Sequence, residues 1–293
     1  IVKIDGEITR GITLLDAVKK LRGKPGTSVT LTLLREGENA LKDVVITRDI
    51  IKFQSVREAK IIDEHIGYIR LSDFRENTPH DLSEGITKLK AEAMDGVILD
   101  LRNNPGGLLD VAVSVAEQFL DRRQIVVTTK GRLRNQNLEF RSDAEGSLNG
   151  MPLVVLINQG SASASEIVAG AIQDHHRGVI MGTKSHGKGS VHTVFPLTDG
   201  SALRLTTSKW FTPAGRPIHG EGITPDVEVP LDRPPESKEK SAEEAPEAVF
   251  DRVEAADPSA EPAEKPPLDN QLARAVDLLK GLKVFEAREK ATP

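Results

Sequence analysis

The chain of 293 residues contains no cysteine, which excludes disulfide bonds, zinc–thiolate sites and cysteine nucleophiles. Aromatic residues make up only 3% of it, and no basic patch is interleaved with them, so the composition does not indicate a nucleic-acid partner. No apolar run approaches the roughly 20 residues that cross a bilayer. No serine lies in a GxSxG elbow, and no segment has the full spacing of a phosphate-binding loop. With 38% hydrophobic and 28% charged residues, the composition is that of an ordinary globular protein.

The net charge of −5 is concentrated in one segment near the C-terminus. Residues 231–267 hold eleven acidic and five basic side chains together with seven prolines. Such a segment buries too little apolar surface to offset the entropy of ordering, so we predict a disordered linker. Beyond it, apolar residues repeat at helical spacing, which predicts a short helix within 268–293, capped by Asp269 or Asn270.

The N-terminal segment, residues 1–50, alternates strand and helix signals. Apolar residues at strand spacing precede the turn Asp5-Gly6, a helical pattern covers Leu14 to Leu21, and β-branched residues with leucine fill Ser28 to Leu34. This β–α–β piece is too small to bury a core by itself. Because the chain opens inside a strand, without a methionine or a basic-then-apolar leader, we expect a fragment or processed form whose targeting signal lies upstream.

Residues 51–230 carry the signals of an α/β core. Two near-continuous apolar runs, Gly96 to Leu101 and Pro152 to Asn158, are typical of buried strands, and helical patterns alternate with strands around them. Two further runs, 190–196 and 201–211, are separated by an Asp-Gly turn and predict a hairpin. We therefore expect an α/β fold in which helices cover a sheet.

One unusual segment is Gly160-Ser161-Ala162-Ser163-Ala164-Ser165-Glu166, which follows a buried strand and opens a helix. A hydroxyl at a helix N-terminus lies at the positive end of the helix dipole, beside backbone N–H groups that lack partners. Such a place stabilises an oxyanion that develops during acyl transfer, so Ser163 is a candidate nucleophile. The competing interpretation is that Ser161 or Ser163 only caps the helix.

A second segment, Ser185-His186-Gly187-Lys188-Gly189-Ser190, places a lysine between two glycines before a strand. Glycines allow backbone and substrate to approach closely. A lysine acts as a general base only where its surroundings lower its pKa from about 10.4 toward neutrality. The competing interpretation is a solvated lysine on a surface turn.

A third segment ends a buried strand in a tight turn, Asn103-Asn104-Pro105-Gly106-Gly107. Backbone N–H groups in such a turn can donate hydrogen bonds to an oxyanion. Taken alone, the segment indicates only a turn.

Together, the three segments resemble the C-terminal processing, or tail-specific, peptidases, a family of serine endopeptidases with a Ser/Lys dyad. The resemblance covers about residues 1–230. It implies that 1–50 are the C-terminal half of a PDZ domain and that 51–230 form a catalytic core of crotonase-like fold. It further implies cleavage of unfolded or flexible C-terminal tails of proteins, and a periplasmic or cell-envelope location. An activating adaptor protein and a homo-oligomer are compatible with it.

In that family the nucleophile is the first serine of a Ser-Ala-Ser-Glu unit, which matches Ser163, with Glu166 completing the unit. The family's general base matches Lys188, which lies in Gly-Lys-Gly-Ser twenty-five residues later. The resemblance implies no metal and no organic cofactor. The implied donors to the oxyanion are the backbone amides of Ala164 and of Gly106 or Gly107, of which we favour Gly107.

The chain departs from the family pattern four residues after the lysine, where His192 stands in place of the usual glutamine. A neutral imidazole can accept a hydrogen bond from the lysine amine, as the glutamine carbonyl does, but an imidazolium can only donate. We therefore expect His192 to orient Lys188, and activity to fall in acid more steeply than in a His192→Gln variant. The PDZ part also lacks its first strands and its carboxylate-binding loop.

Other functions stay open on the sequence. A Ser-His-Asp hydrolase would use His186 or His192 as its base, although no GxSxG elbow accompanies them. A non-catalytic relative would bind peptides as a scaffold, with His192 marking lost activity. An acyl-CoA enzyme of crotonase type would share the fold but leave the pairing of Ser163 with Lys188 unexplained. Cleavage of an unfolded test protein discriminates among these functions.

Overall fold

The computed structural model describes residues 1–35, 41–50, 54–148, 150–232 and 269–291, with side chains described as far as residue 285. The predicted linker over 231–267 therefore lies almost wholly outside the described residues. The described residues divide into two compact units, one within residues 1–50 and the other formed by the described parts of 54–232 together with 269–291. Within the described ranges, no helix combines the length and the apolar character that crossing a membrane requires.

The smaller unit is a four-stranded antiparallel sheet with one helix. Its elements are β1 (Lys3–Ile4), β2 (Glu7–Ile8), α1 (Leu14–Leu21), β3 (Ser28–Leu33) and β4 (Lys42–Thr47), with the strands in the order β2-β1-β3-β4. Asp5 and Gly6 both have positive φ, 49° and 81°, as a two-residue hairpin turn requires. The sequence predicted α1 and β3 but missed β2 and β4, so the segment is an antiparallel sheet rather than a simple β–α–β piece.

The larger unit contains ten strands and four α-helices in its described residues. In chain order they are β5 (Val56–Asp63), β6 (Ile66–Leu71), α2 (Thr78–Ala91), β7 (Gly96–Asp100), α3 (Leu109–Glu117), β8 (Ile125–Gly131), β9 (Glu139–Arg141), β10 (Leu153–Ile157), α4 (Ala164–Asp174), β11 (Val179–Gly182), β12 (Ser190–Pro196), β13 (Ala202–Phe211), β14 (Val227–Glu228) and α5 (Asn270–Ala291). The predicted mixed α/β fold is confirmed at this level.

A six-stranded sheet forms the centre of the larger unit, in the order β14-β11-β10-β7-β6-β5. Its neighbouring strands are parallel except β5, which runs antiparallel to β6. A second, four-stranded antiparallel sheet has the order β12-β13-β8-β9 and contains the predicted hairpin.

Apolar side chains project from both faces of the central sheet, because successive residues of a strand point to opposite faces. On β7, Val97 and Leu99 belong to the core formed with helices α2, α3 and α4, whereas Ile98 belongs to a second core. That second core also contains Ala275 and Leu279 of α5. The C-terminal helix is thus docked on the sheet, and burial on both faces explains why β7 and β10 are near-continuous apolar runs.

Strands β7, β10 and β11 are adjacent and parallel, so their carboxyl ends lie at one edge of the sheet. The segments that follow these ends are 101–107, 158–163 and 183–189. They include the glycine turn, the serine motif and the lysine segment of the sequence analysis. The topology therefore brings the three segments to the same place, where open α/β sheets commonly bind ligands.

Candidate active site

The glycine turn packs directly against the serine segment. A Cβ atom placed on Gly106 would lie 2.6 Å from the carbonyl oxygen of Ala162, and 2.8 Å from both the Ser163 Cβ and the Ala164 nitrogen. The carbonyl of Asn104 accepts hydrogen bonds from the N–H of Ala162 at 3.0 Å and from the hydroxyl of Ser165 at 2.9 Å. Only glycine fits at position 106, which also has a φ of 95°.

Ser163 occupies the residue position just before α4 in a strained backbone conformation. Its φ of 57° and ψ of −112° are unusual for a residue with a Cβ atom and cost roughly 1–3 kcal/mol, so the surroundings must hold the residue there. Ser163 is half-buried, whereas Ser161 is fully buried and donates its hydroxyl to the carbonyl of Leu101 at 2.8 Å. Ser161 is thus a structural residue, and Ser163 is the serine whose side chain reaches the surface.

Glu166 connects the serine segment to the lysine segment. Its carboxylate is fully buried and accepts four hydrogen bonds. Oε2 accepts the backbone N–H of Ser163 at 2.7 Å and that of Lys188 at 2.9 Å. Oε1 accepts the Ser185 hydroxyl and the Gly187 N–H, each at 2.6 Å. A buried carboxylate needs such donors, and here they come from both the serine segment and the lysine segment.

Two backbone amides of the site, at the start of α4 and in the glycine turn, differ from their neighbours in their hydrogen bonding. Among the described residues, neither the Ala164 N–H nor the Gly107 N–H donates a hydrogen bond. The Gly106 N–H, in contrast, donates to Oδ1 of Asn104 at 2.9 Å. Gly107 is exposed, and a Cβ atom there would lie 2.0 Å from the carbonyl oxygen of Phe74. Of the two glycines, Gly107 therefore offers the available donor, together with Ala164 at the start of α4.

Lys188 is anchored through its backbone while its side chain is exposed. Its neighbours pack on the loop after β13, since the Gly187 carbonyl accepts the Gly220 N–H at 2.9 Å and a Cβ atom on Gly189 would lie 2.2 Å from the His219 nitrogen. Within the described part of the chain, no hydrogen bond joins the Lys188 amine to the Ser163 hydroxyl. The structure fixes the lysine backbone near the serine and leaves the amine in solvent.

His192 hydrogen-bonds to hydroxyl groups and not to Lys188. Its Nε2 lies 3.3 Å from the Ser190 hydroxyl and its Nδ1 lies 3.1 Å from the Thr206 hydroxyl. The register of β12 against β13 shifts between Val191 and His192. The expected contact of His192 with the lysine amine is therefore absent among the described hydrogen bonds. The other histidine proposed as a base, His186, is exposed, and neither ring bonds to Ser163 in this part of the chain.

Several residues hold the site through contacts that the sequence did not indicate. They act through contacts distant in sequence, and each is an ordinary polar residue when taken alone: Asn104, Asn158, Ser161 and Ser185. The pairing of Asn158 with Asn103 through both side-chain amide atoms, for example, joins residues 55 positions apart. In the described ranges, no group of three histidine, aspartate or glutamate side chains is arranged to hold a metal ion.

A family model described as peptidase family S41 matches residues 65–229, which contain every segment of this site. The chain belongs to peptidase family S41. The resemblance to the C-terminal processing peptidases is thereby confirmed at the level of the family.

Individual members of family S41 are similar over the same part of the chain. A carboxy-terminal-processing protease of Bartonella bacilliformis is 48% identical over 233 residues, which cover 78% of this chain and 53% of that protein. A CtpA-like serine protease of Staphylococcus saprophyticus is 40% identical over 229 residues, covering 78% and 46%. The solved structure of a photosystem II D1 C-terminal processing protease superposes with a TM-score of 0.55 at 33% identity, covering 78% and 62%. The chain spans about half the length of these two curated relatives.

Proposed function

We propose that this S41 chain is the catalytic part of a serine endopeptidase that cleaves proteins near their C-termini. In this proposal Ser163 is the nucleophile, Lys188 is the general base, and the amides of Ala164 and Gly107 hold the oxyanion. The names of the similar proteins support the substrate class, since two of them are described as processing C-termini.

One observation carries the proposal. A strained serine stands at the N-terminus of a helix, beside the backbone N–H groups of Ala164 and Gly107, which donate no hydrogen bond within the described part of the chain. Two preorganised donors at a reacting carbonyl are the arrangement that stabilises the tetrahedral intermediate of acyl transfer. A helix cap alone explains neither the strain at Ser163 nor the free amide of Gly107.

The reaction follows from these roles. The neutral Lys188 amine accepts the Ser163 hydroxyl proton while Oγ attacks the scissile carbonyl, whose oxygen becomes the oxyanion. Collapse of the intermediate breaks the C–N bond, and the departing amine takes the proton from the Lys188 ammonium. Water then attacks the acyl-enzyme while Lys188 accepts one of its protons. The bond between the acyl carbon and Ser163 Oγ breaks, the Lys188 ammonium returns the proton to Oγ, and the new C-terminus is released.

The exposure of Lys188 implies that substrate binding completes the site. In water an ammonium group is well solvated, and it serves as a base only after that solvation is removed. An extended polypeptide bound beside Ser163 would cover Lys188 and draw its amine toward the hydroxyl. Catalytic hydrogen bonds are often long or unformed before substrate binds, so the missing bond is compatible with this role.

The remaining expectations from the sequence stand as parts of the same proposal. Residues 1–50 are proposed as the C-terminal half of a PDZ domain, which the antiparallel sheet with one helix supports. Residues 51–230 are proposed as a core of crotonase-like fold, and the enzyme as a periplasmic or cell-envelope protein acting on flexible tails. An activating adaptor and a homo-oligomer remain proposals for the whole protein.

Incubation with an unfolded test protein tests the proposed activity. Mass spectrometry of the fragments should show new C-termini that cluster near the original C-terminus of the substrate. The Ser163→Ala variant should produce none of them. Cleavage spread evenly along the substrate would reject the C-terminal preference, and no cleavage by the wild type would favour a peptide-binding scaffold.

A further inference from the structure

The guanidinium of Arg102 uses all five of its N–H donors at the start of the glycine turn. Two donate to Asp100, from Nε at 3.0 Å and from Nη2 at 2.6 Å. The others reach the residues that begin helix α5. Nη1 donates to Asp269 and to Gln271, each at 2.9 Å, and Nη2 donates to Asp269 at 2.7 Å. The Arg102 side chain is only 11% exposed, so these contacts are largely shielded from water.

The Arg102 guanidinium and the carboxylates of Asp100 and Asp269 neutralise one another's charge in this cluster. Asp100 is fully buried and also accepts the Tyr68 hydroxyl at 2.7 Å and the backbone N–H of Arg102 at 2.9 Å. Burial alone would raise the pKa of Asp269, but its hydrogen bonds with Arg102 and with backbone N–H groups outweigh burial and hold that pKa below its usual value. Removal of one partner of a buried arginine destabilises the folded protein, because guanidinium N–H donors are then left without an acceptor.

The beginning of α5 also contacts the opposite side of the site. Gln271 Nε2 donates to the carbonyl of Val229 at 2.7 Å, and the N–H of Val229 donates to the carbonyl of Gly182 at 2.8 Å. Gly182 ends β11, the strand that leads to the lysine segment. Asp269 and Gln271 thus connect the ends of the two strands that flank β10, and β10 leads to Ser163.

We propose that Asp269 and Gln271 are positioning residues that act through Arg102 to hold the turn carrying the Gly107 amide. Arg102 is five residues before Gly107, and the intervening Asn103 has a strained φ of 57°. A turn with such strain keeps its shape only when its ends are fixed. Helix α5 is then part of the catalytic arrangement and not only a cover for the sheet. The consequence for turnover rests on the proposed function, whereas the coupling to the turn does not.

One substitution separates this role from helix capping. Asp269 Oδ1 accepts the N–H of Leu272 at 3.0 Å, so the residue is also the N-cap of α5. Asp269→Ser keeps a capping oxygen and removes the two-pronged contact with Arg102. Lys283→Ala is the matched control, because Lys283 lies on the same helix and pairs with Asp95 at 2.6 Å, outside the Arg102 cluster.

Hydrogen–deuterium exchange on the full chain measures the coupling without any substrate. In Asp269→Ser we expect the hydrogen-bonded amides of Asn103, Asn104 and Gly106 to exchange at least about fivefold faster, because the turn opens more often. Lys283→Ala should leave these amides unchanged. Unchanged exchange in Asp269→Ser would overturn the proposal. If Asp269→Ser unfolds, Gln271→Ala replaces it, with the same expected direction and the same criterion.

Kinetics on a tail peptide then test the consequence for turnover. Asp269→Ser should lower kcat about tenfold with KM within about twofold, because an oxyanion donor acts mainly in the transition state. Lys283→Ala should match the wild type. If the wild-type chain cuts no peptide, the proposed function is refuted. The hydrogen–deuterium exchange result still tests whether Asp269 stabilises the glycine turn. Equal kcat in the wild type and Asp269→Ser overturns the positioning role even where exchange differs.

Discussion

The backbone N–H of Ser163 donates a hydrogen bond to the carboxylate of Glu166 at 2.7 Å, three residues further along the chain. The same carboxylate oxygen accepts the N–H of Lys188. A buried anion therefore fixes the backbones of the proposed nucleophile and the proposed base relative to one another. Because a carboxylate only accepts hydrogen bonds, this alignment depends on its charge and on its two equivalent oxygens.

Glu166→Gln should disrupt both the fold and the site. An amide replaces one accepting oxygen with a donor, so two buried donors lose their acceptor at a cost of about 1–3 kcal/mol each. We expect a drop of at least about 2 kcal/mol in the free energy of unfolding and a fall in kcat of at least about a hundredfold. Ser185→Ala, which removes one of the four donors, should cost less on both measures. Wild-type stability and turnover in Glu166→Gln would contradict this role of the carboxylate.

Gly107→Ala should impair turnover by moving the turn. Its new Cβ atom would lie 2.0 Å from the Phe74 carbonyl oxygen, so the backbone at 107 must shift. Loss of one oxyanion donor lowers kcat by about a hundredfold to a thousandfold, with a smaller effect on KM. Gly281→Ala is the control, since nothing lies within 4 Å of that position in α5. Steady-state kinetics of the two variants measure this effect. Equal kcat values for Gly107→Ala and Gly281→Ala would show that the Gly107 amide does not bind the oxyanion.

The His192→Gln variant tests the residue that the sequence led us to expect beside the Lys188 amine. Both ring nitrogens of His192 face hydroxyl groups, those of Ser190 and Thr206, and a hydroxyl serves as donor or acceptor. The ring therefore keeps its partners when it is protonated. From this geometry we expect the acid limbs of the two pH–rate profiles to coincide, contrary to the expectation from the sequence. A steeper acid fall in the wild type would show that His192 orients Lys188 after all.

The only tyrosine in the chain, Tyr68, gives a spectroscopic test of the Arg102 cluster. Burial, followed by the charge of Asp100, raises the pKa of the Tyr68 hydroxyl. In the unfolded chain the hydroxyl ionises near pH 10, while in the folded chain it stays protonated. Stability from this group is therefore complete below about pH 10 and is lost as the pH rises above it. Absorbance at the tyrosinate band should show no titration of the folded protein near pH 10, and should show it in denaturant. A midpoint near 10 in the folded protein would contradict the buried Tyr68–Asp100 contact.

The fold was predictable where burial leaves a simple pattern. Strand β10 is apolar throughout, and β7 is apolar up to its last residue, Asp100, because both faces of the sheet are covered. Helix α1 was predicted with its observed bounds. Strand β5 was missed because it lies at the sheet edge and mixes charged with apolar residues, as VREAKIID.

The site was predictable only as far as its local motifs. The serine and lysine motifs and the glycine turn are contiguous in sequence, so their residue types indicate acyl-transfer chemistry. The residues that align them are not contiguous. Asp269, for example, meets Arg102 across 167 residues, and a single aspartate before a helix indicates only a cap. The exposure of Lys188 and the hydroxyl partners of His192 likewise depend on tertiary structure.

The central claim is that Ser163 forms the acyl-enzyme with Lys188 as its base, and trapping that intermediate tests it most directly. A tail-peptide ester is mixed with the protein, the reaction is quenched in acid, and the acylated residue is mapped by mass spectrometry. We predict the acyl group on Ser163 in the wild type and in Lys184→Ala, an exposed lysine of the same loop. We predict no adduct in Ser163→Ala. In Lys188→Ala we predict that acylation is about a hundredfold slower than in the wild type. An adduct on another residue, or acylation at the wild-type rate in Lys188→Ala, would contradict the dyad.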